Sequence, residues 1–221
     1  MIVVIADIIN SKSLLNRVQV QESLQQILNQ INETFEEYLA SKFTITLGDE
    51  FQGVLNHSNN LLHILDKITF PLLPVRFRFG IGIGALTTKL DPSICIGSDG
   101  PAFWKAREAI EYVHRNNDYG RANIHLSVEE PDDSVNLINQ ILKLTALQVS
   151  GWRDSQINVY KVILEEEIVD PEEINHQRIA EKLDILTSSL TRRFESSGIK
   201  RYMSACREVE LALEKINKRY A

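Results

Sequence analysis

The first residues of the chain place the tightest limit on its fold. Residues 2–9 read Ile-Val-Val-Ile-Ala-Asp-Ile-Ile, an almost unbroken run of apolar and mostly β-branched side chains. Such a run is typical of a central strand that is buried on both faces of a sheet. Asp7 is the one charged residue in the run. An ionised carboxylate among buried aliphatic side chains is costly unless something compensates its charge.

Alternating strand and helix patterns follow over the first 130 residues. Apolar steps of three and four residues predict a helix at 14–39, and two short strands around Gly48-Asp49 predict a hairpin. The predicted elements are, in chain order, a strand at 2–9, a helix at 14–39, strands at 43–47 and 51–55, a helix at 56–68, a strand at 75–85, a helix at 102–114 and a strand at 122–127. This order is that of a ferredoxin-like palm domain, and it predicts an α+β fold.

An acidic, proline-containing stretch at 129–133 predicts a domain boundary. It divides the chain into a palm domain at 1–130 and an all-helical domain at 131–221. The predicted helices of the second domain are 134–149, 155–166, 171–183, 187–196 and 199–220. The whole chain has a formal charge of -6, yet residues 178–221 carry ten Lys and Arg against six Asp and Glu. This uneven charge predicts separate partners for the two parts.

Asp7 and Asp49 are the candidate metal ligands. In a β-α-β-β unit the first strand lies beside the hairpin, so we expect the two carboxylates to converge at one edge of the sheet. Two carboxylates a few ångströms apart repel unless a cation lies between them, and hard oxygen ligands suit Mg²⁺ or Mn²⁺ with a nucleoside triphosphate. The alternative is that Asp49 is an ordinary turn residue, and that Asp7 caps the next helix or pairs with a lysine.

Two segments around these acids resemble known families. Residues 46–51, Thr-Leu-Gly-Asp-Glu-Phe, resemble the GGDEF signature of diguanylate cyclases and the Gly-Asp hairpin of class III nucleotidyl cyclases. Residues 6–9, Ala-Asp-Ile-Ile, resemble the Asp-Ile segment that opens those domains. The resemblance implies a two-metal nucleotide site with the following roles: catalysis by Asp7, Asp49 and Glu50, metal binding by Asp7, Asp49 and the backbone carbonyl of Ile8, and nucleotide binding by Ile8 and Gly48.

Two further segments are similar to parts of GGDEF domains. Residues 102–107, Ala-Phe-Trp-Lys-Ala-Arg, resemble their Ala-Leu-Tyr-x-Ala-Lys helix, and residues 120–123, Gly-Arg-Ala-Asn, resemble their closing Gly-Arg-Asn. The resemblance implies that Arg107 and Arg121 contact phosphates, which guanidinium groups can bind in bidentate fashion. The alternative is that both are surface cations. Leu47 stands where the signature has its first glycine, so the nucleotide base is left open.

Over the whole chain these motifs resemble the SatD family. The segments that carry the resemblance are Ala-Asp-Ile-Ile-x-Ser-Lys from residue 6, Thr-Leu-Gly-Asp-Glu-Phe-Gln-Gly from residue 46, Gly-Pro-Ala-Phe-x-x-Ala-Arg from residue 100, and the helical tail. The resemblance covers residues 2–213 and implies an architecture more than a reaction.

Residues 176–185 and 187–194 resemble a bacterial helix-turn-helix. The expected core of this unit is Ile179, Ala180, Leu183, Ile185, Leu190 and Phe194. Thr187 is expected to cap the second helix. The exposed side of that helix would then carry the candidate DNA-binding residues Ser188, Ser189, Thr191, Arg192 and Arg193. The alternative is a helical hairpin used for dimerisation or as a clamp on the palm.

The leading hypothesis is a regulator in which a nucleoside triphosphate or cyclic nucleotide, bound with Mg²⁺ or Mn²⁺, alters binding to DNA. An active cyclase and a DNA-binding or scaffold protein with an inert palm remain alternatives. We expect a cytoplasmic protein without a membrane partner, because no run approaches a membrane span and the only two cysteines read as unpaired thiols. We also expect a homodimer. The apolar stripe of Val209, Leu213 and Ile216 on the last predicted helix either packs back onto the chain or forms a dimer contact. Trp104 and Trp152 are expected in the core, and His57 and His63 on the surface.

Overall fold

The computed structural model describes residues 1–116 and 122–220, and within them it has an α+β fold of five strands and eight α-helices. The strands are β1 (Ile2–Ile8), β2 (Leu39–Leu47), β3 (Glu50–Leu55), β4 (Phe77–Ile83) and β5 (Ile124–Val128). The helices are α1 (Arg17–Thr34), α2 (Leu61–Thr69), α3 (Pro101–Arg115), α4 (Ser134–Ser150), α5 (Asp154–Glu165), α6 (His176–Lys182), α7 (Thr187–Ser197) and α8 (Ile199–Asn217).

All five strands form one mixed sheet in the order β2-β3-β1-β4-β5. The central strand is β1, as its apolar run predicts, and it pairs antiparallel with both β3 and β4. β5 is added beside β4 in a parallel pair. The first four strands therefore have the split β-α-β order, in which the first strand lies between the hairpin and the fourth strand.

Each face of the sheet is covered by a different set of helices. The even-numbered residues of β1 face a core that includes α1, α2 and α8, whereas Val3 and Ile5 face a smaller core under α3. Two glycines of β4 let α3 approach closely: a Cβ on Gly80 would lie 2.3 Å from a backbone oxygen of α3, and one on Gly82 would lie 2.1 Å from another. The backbone of α3 therefore packs directly on β4.

The C-terminal helices complete the sheet core and also form a second core. Ile138 and Leu142 of α4 and the stripe of Val209, Leu213 and Ile216 on α8 are buried in the core on the sheet. The apolar stripe of α8 therefore packs back onto its own chain. The boundary predicted at residues 130/131 precedes helices that belong to this first core.

The second core is formed by α5, α6, α7 and the first half of α8 around buried aromatic side chains such as Trp152, Tyr160 and Tyr202. Phe70, which follows α2, also packs into it. Because α8 begins in the second core and ends in the first, this single helix connects the two.

Both edge strands of the sheet are held by a buried asparagine from a helix. The Asn32 side chain of α1 accepts a hydrogen bond from the Phe43 backbone N–H at 2.7 Å and donates one to the Phe43 carbonyl at 2.9 Å. Asn139 of α4 makes the same pair of bonds to the Leu126 backbone of β5, at 2.8 and 3.0 Å. The amide group thus replaces a neighbouring strand at one residue of each edge.

Several sequence expectations need correction. α1 runs from Arg17 to Thr34, shorter than the predicted helix at 14–39, because a short 3₁₀ helix follows and β2 begins at Leu39. Val18, one of the apolar residues whose spacing predicts that helix, is 67% exposed. Cys95 and Cys206 are both free, as expected. Within the described residues, no helix is long and apolar enough to cross a bilayer.

Candidate functional site

The end of the sheet where β1 finishes brings charged residues from three strands together. Asp7 of β1 is directly opposite Glu50 of β3 on one side and Arg78 of β4 on the other. Residues paired in register project to the same face of a sheet, with Cβ atoms about 5 Å apart across antiparallel strands. Asp7 follows Val3 and Ile5 at steps of two, so this charged row lies on the α3 face.

An arginine neutralises each of the two facing carboxylates. Arg78 Nε donates to Asp7 Oδ1 at 2.8 Å, and its other end contacts His114 Nδ1 at the end of α3. Arg107 of α3 donates to the Glu50 carboxylate from both terminal guanidinium nitrogens, at 2.9 and 3.3 Å. All four charged side chains are at least partly exposed, so they remain accessible to a ligand.

Asp49 lies at the turn beside this row and has a different partner. Its carboxylate is 3.9 Å from Arg17 at the start of α1, and its backbone carbonyl accepts a 3.2 Å hydrogen bond from the Ile8 N–H. Gly48 before it has a φ of 61°, which favours glycine at this turn. The acid that faces Asp7 in register is therefore Glu50, whereas Asp49 lies at the rim of the row.

Two grooves flank the charged row, and each has a volume of about 590 Å³. The first, which we call the Asp49 groove, is lined by Asp49, Arg78, His114 and the Asn10–Ser13 segment. The second, the Trp104 groove, is lined by Gln52, Asp99, Trp104 and Arg107 among others. One polar stripe of α3 borders both grooves at steps of three and four residues: Trp104, Arg107, Glu111 and His114.

Trp104 is 58% exposed, so its expected place in the core is wrong. Its indole N–H donates to Asp99 Oδ1 at 2.6 Å, which fixes the ring at the mouth of the Trp104 groove. The reason lies in β4, whose glycines receive the small residues Ala102 and Ala106 of α3 and leave Trp104 on the outer side. Trp152, in contrast, is buried as expected.

Other predicted site residues can be placed only in part. Arg121 lies outside the described residues. Ile8 is buried, and its contact with Asp49 is through its N–H. Within residues 1–116 and 122–220, no three His, Cys, Asp or Glu side chains are grouped so that they could hold a metal ion.

The α6–α7 unit, residues 176–197, has the core that the sequence predicts. Ile179, Ala180, Leu190 and Phe194 are buried, while Leu183 and Ile185 pack against them. Thr187 is not the cap: it is the first residue of α7, Leu186 precedes it at the cap position, and no side chain there accepts a capping bond.

The candidate DNA-binding residues of α7 differ in exposure. Ser188 and Arg192 are exposed, whereas Ser189, Thr191 and Arg193 are half-buried. Arg193 donates to the Ser155 carbonyl of α5 at 3.4 Å, so it is partly engaged within the chain. Nearby positive charge is also partly neutralised, because Glu166 contacts both Arg178 and Lys182 of α6.

A buried polar cluster between α2, α5 and α8 was not predicted. Asp66 of α2 accepts hydrogen bonds from Tyr160 Oη at 2.6 Å and Tyr202 Oη at 2.9 Å. Burial raises the pKa of Asp66 to about 7, against the opposing effect of the two tyrosine hydroxyls. His63, expected on the surface, is also buried, and burial lowers its pKa. The sequence signal is an acid inside the strongly apolar segment 61–68.

Glu210 of α8 adds a second buried acid close to this cluster. It accepts a 2.7 Å hydrogen bond from the Leu62 N–H in the first turn of α2, and burial raises its pKa to about 7. One turn further along α8, Glu214 accepts from the Ser58 N–H at 3.0 Å, and His57 contacts it from the surface, as expected for that histidine. These carboxylates fix α8 to the start of α2.

The fold and site define an α+β protein whose five-stranded mixed sheet carries two facing, arginine-paired acids at the end of its central strand. Comparison with protein-family models gives a match to the SatD family over residues 1–214, and the chain belongs to that family. No curated protein matches the chain. No solved structure matches it either.

Proposed function

We propose that this protein binds a nucleoside triphosphate or cyclic nucleotide with Mg²⁺ or Mn²⁺ at the Asp7 end of the sheet, and that occupancy regulates DNA binding by the α6–α7 unit. The observation that carries the proposal is the register in which Asp7 faces Glu50, each held by its own arginine. Asp49 and the adjoining Asn10–Ser13 segment extend this site along the Asp49 groove.

The charge balance of the row supports this proposal. Like charges that lie directly opposite each other on neighbouring strands destabilise a sheet. Arg78 and Arg107 offset that repulsion in the protein alone. A divalent cation would replace them, because Mg²⁺ is commonly held by one or two carboxylates together with substrate phosphates. The released guanidinium groups would then bind phosphate oxygens, for which their planar fork is suited.

The Trp104 groove offers a place for the base of the same nucleotide. Trp104 presents an exposed ring beside Arg107, and the Gln52 amide also lines this groove. Stacking of a base on an aromatic side chain contributes about 1–3 kcal/mol and tolerates different bases. The phosphates would then lie toward Asp7 and the base toward Trp104.

The α6–α7 unit supports the DNA part of the proposal through its exposed side. Ser188 and Arg192 would contact phosphates or base edges, and Ser189, Thr191 and Arg193 would contribute at the margin. Such units bind DNA in pairs on two-fold sites, so we include a homodimer in the proposal. α8 provides the connection, because it packs against α7 at its start and against the sheet core at its end.

Thermal unfolding with Mg²⁺ or Mn²⁺ and each nucleoside triphosphate or cyclic nucleotide tests nucleotide binding. A nucleotide at 100 times its Kd should stabilise the protein by about 2.7 kcal/mol. Asp7→Asn and Glu50→Gln should abolish that stabilisation, whereas Glu22→Gln, at an exposed acid of α1, should retain it. If no nucleotide shifts the wild-type transition with either metal, the nucleotide site is rejected and the sheet serves as a scaffold.

The same acids support an active cyclase as the second candidate, because facing carboxylates suit a site with two metal ions. Incubation with each nucleoside triphosphate and Mn²⁺, followed by chromatography of the products, tests it. A cyclic product that disappears in Asp7→Asn would establish cyclisation. Binding without any product would leave regulation as the role of the nucleotide.

DNA binding is tested by selection from random duplexes followed by titration at several salt concentrations. Arg192→Ala should weaken binding and reduce the salt slope by about 1, as expected when one phosphate contact is lost. Lys89→Ala is the control for the loss of one positive charge, because Lys89 is exposed in the loop after β4 and is distant in sequence from α7. Equal binding by the Arg192→Ala protein would remove α7 from the DNA interface.

A further inference from the structure

A cavity of about 330 Å³ lies where the core on the sheet and the second core meet. Its walls come from the starts of β4 and β5 and from helices α2, α4, α5 and α8. We call it the Trp152 cavity. Protein interiors are close-packed and leave few voids larger than a water molecule. An apolar cavity of about 150 Å³ is enough to bind benzene, so this space can hold a molecule of one or two rings.

Aromatic rings and aliphatic side chains form most of the wall. Phe70, Trp152 and Tyr202 line the cavity, and Phe79 of β4 lines it from the sheet. The first three also belong to one ring cluster with Tyr160, in which neighbouring ring centroids are 4.7–5.9 Å apart. Such separations are typical of favourable aromatic pairs. A further ring in the cavity would extend this cluster.

Most uncharged polar groups of the wall are bonded within the protein. Three hydroxyls each donate to a backbone carbonyl of their own helix at 2.7–2.9 Å, those of Thr69 on α2 and of Thr145 and Ser150 on α4. Trp152 Nε1 donates to the Ser197 carbonyl at 2.9 Å. Because the donors of these side chains are already satisfied, this part of the wall asks for no polar partner from a ligand.

Among the described residues an acid and a base line the cavity, and both have partners. Asp66 accepts hydrogen bonds from Tyr160 at 2.6 Å and from Tyr202 at 2.9 Å, and burial raises its pKa to about 7. Much of this carboxyl is therefore uncharged near neutral pH and needs no countercharge from a ligand. Arg76 has an interaction of its own within the chain. The lining therefore favours neither sign of charge.

Asn123 is the exception among the polar groups of the wall. It lies just before β5, and within the part of the chain that the structure describes its side-chain amide has no hydrogen-bond partner. Asn123 is half-buried and Ser150 is exposed, so the cavity is accessible from solvent. A side-chain amide offers both donors and an acceptor. One hydroxyl, carbonyl or amide group of a ligand can therefore bind here.

We propose that the Trp152 cavity binds a neutral aromatic molecule of one or two rings, with its rings against Trp152 and Phe70 and one hydrogen-bonding group on the Asn123 amide. The apolar wall would bury the rings. An ionic group would lose its hydration in the cavity and would find Asp66 and Arg76 already engaged, which is costly.

This site is independent of the proposed nucleotide site. Among the described residues, the Trp152 cavity shares no lining residue with the Asp49 groove or the Trp104 groove. Failure of one proposal therefore leaves the other intact.

Three probes of similar shape and different charge test the proposal: 2-phenylethanol, phenylacetate, and phenethylamine, which is protonated at neutral pH. Binding of each to the full-length protein is measured by calorimetry at neutral pH. The alcohol should bind at least about tenfold more tightly than either ion, which corresponds to about 1.4 kcal/mol. No binding of the alcohol, or an ion that binds as tightly, would overturn the proposal.

Two single-tryptophan variants locate the binding, because the chain has only Trp104 and Trp152. A bromine atom quenches indole fluorescence on contact, so 4-bromophenethyl alcohol is the probe. It should quench the emission of the Trp104→Phe protein, which keeps Trp152, and should leave that of the Trp152→Phe protein unchanged. Unquenched emission from a folded Trp104→Phe protein, at a concentration that saturates binding in calorimetry, would place the alcohol elsewhere and overturn the proposal.

Substitutions in the wall give a second test. Ala146→Phe fills the cavity from α4 and should weaken binding of the alcohol at least about tenfold, whereas Leu144→Phe, on the exposed side of the same helix, should bind like wild type. Asn123→Ala should weaken binding about two- to tenfold through the lost hydrogen bond. Unchanged affinity in a folded Ala146→Phe protein would overturn the site, and in Asn123→Ala it would overturn the assigned contact. If Ala146→Phe does not fold, the tryptophan quenching decides.

Discussion

Replacement of Asp66 by asparagine should change how the stability of the protein depends on pH. Burial raises the pKa of Asp66 from 3.8 to about 7 in the folded chain. Between these two values the folded chain holds a proton that the unfolded chain has released. This stabilising contribution is therefore complete below about pH 3.8 and is lost as the pH rises through about 7. Asparagine does not titrate, so the variant lacks this loss.

The size of the effect follows from the shift. Each pH unit between the two pKa values changes the free energy of unfolding by about 1.4 kcal/mol, so the full window is worth about 4 kcal/mol. From about pH 5 to about pH 7, the Asp66→Asn variant should gain about 2–3 kcal/mol relative to wild type. The difference in unfolding free energy between the two proteins is the useful quantity, because the titration of His63 contributes to both and cancels. Glu210 cancels less fully, since the Asp66 charge contributes to raising its pKa.

Urea unfolding followed by far-ultraviolet circular dichroism, at several pH values across that window, measures the difference. Asp184→Asn is the matched control, since Asp184 is exposed and has a φ of 51°, which asparagine also tolerates. That control should follow wild type at each pH. A difference between Asp66→Asn and wild type that stays constant to within about 0.5 kcal/mol would refute the argument that Asp66 is protonated in the folded core at acidic pH.

Three further predictions concern a close helix–strand contact, an edge-strand contact and a half-buried histidine. Gly82→Ala places a Cβ 2.1 Å from the backbone of α3 and should cost about 3 kcal/mol in urea unfolding, whereas Gly151→Ala, with its nearest contact at 3.5 Å, should change stability by less than about 0.5 kcal/mol. Asn139→Leu leaves the Leu126 N–H and carbonyl unpaired and should cost about 2–4 kcal/mol by the same assay; an unchanged midpoint would contradict the edge contact. Burial lowers the pKa of His125 to about 4, so the folded chain resists the proton that an unfolded histidine accepts below about pH 6.5, and His125→Phe should shift acid unfolding to lower pH.

The strands and most helices follow from local patterns, because burial of β1 and the periodicity of the helices are properties of short segments. The α+β class and the central place of β1 are therefore predicted correctly. Local patterns do not identify the residue that lies opposite Asp7. The strand register determines it: Gly48 and Asp49 form the turn, and Glu50, the first residue of β3, pairs with Asp7. A shift of one residue would exchange the two faces of the strand.

The buried polar cluster could not be predicted, because its members are far apart in the sequence. Asp66 is bound by Tyr202 at a separation of 136 residues, and Leu62 by Glu210 at 148. An acid in an apolar helix indicates that some partner exists, but a single sequence does not identify it. Trp104 was misplaced for a different reason: the glycines of β4 select the small side chains of α3, and the large one is left outside.

The asparagines that hold Phe43 and Leu126 also limit how this sheet can associate. A bare edge strand recruits strands from other chains, which leads to sheet extension or aggregation. On β2 the Asn32 amide is joined by the 91–92 loop, since Lys42 N–H donates to the Pro92 carbonyl at 3.0 Å. Because these contacts occupy Phe43 and the Lys42 N–H on β2 and Leu126 on β5, a strand from a second molecule cannot pair with those residues without displacing them. We therefore expect any assembly of this protein to use helices or loops in preference to sheet extension.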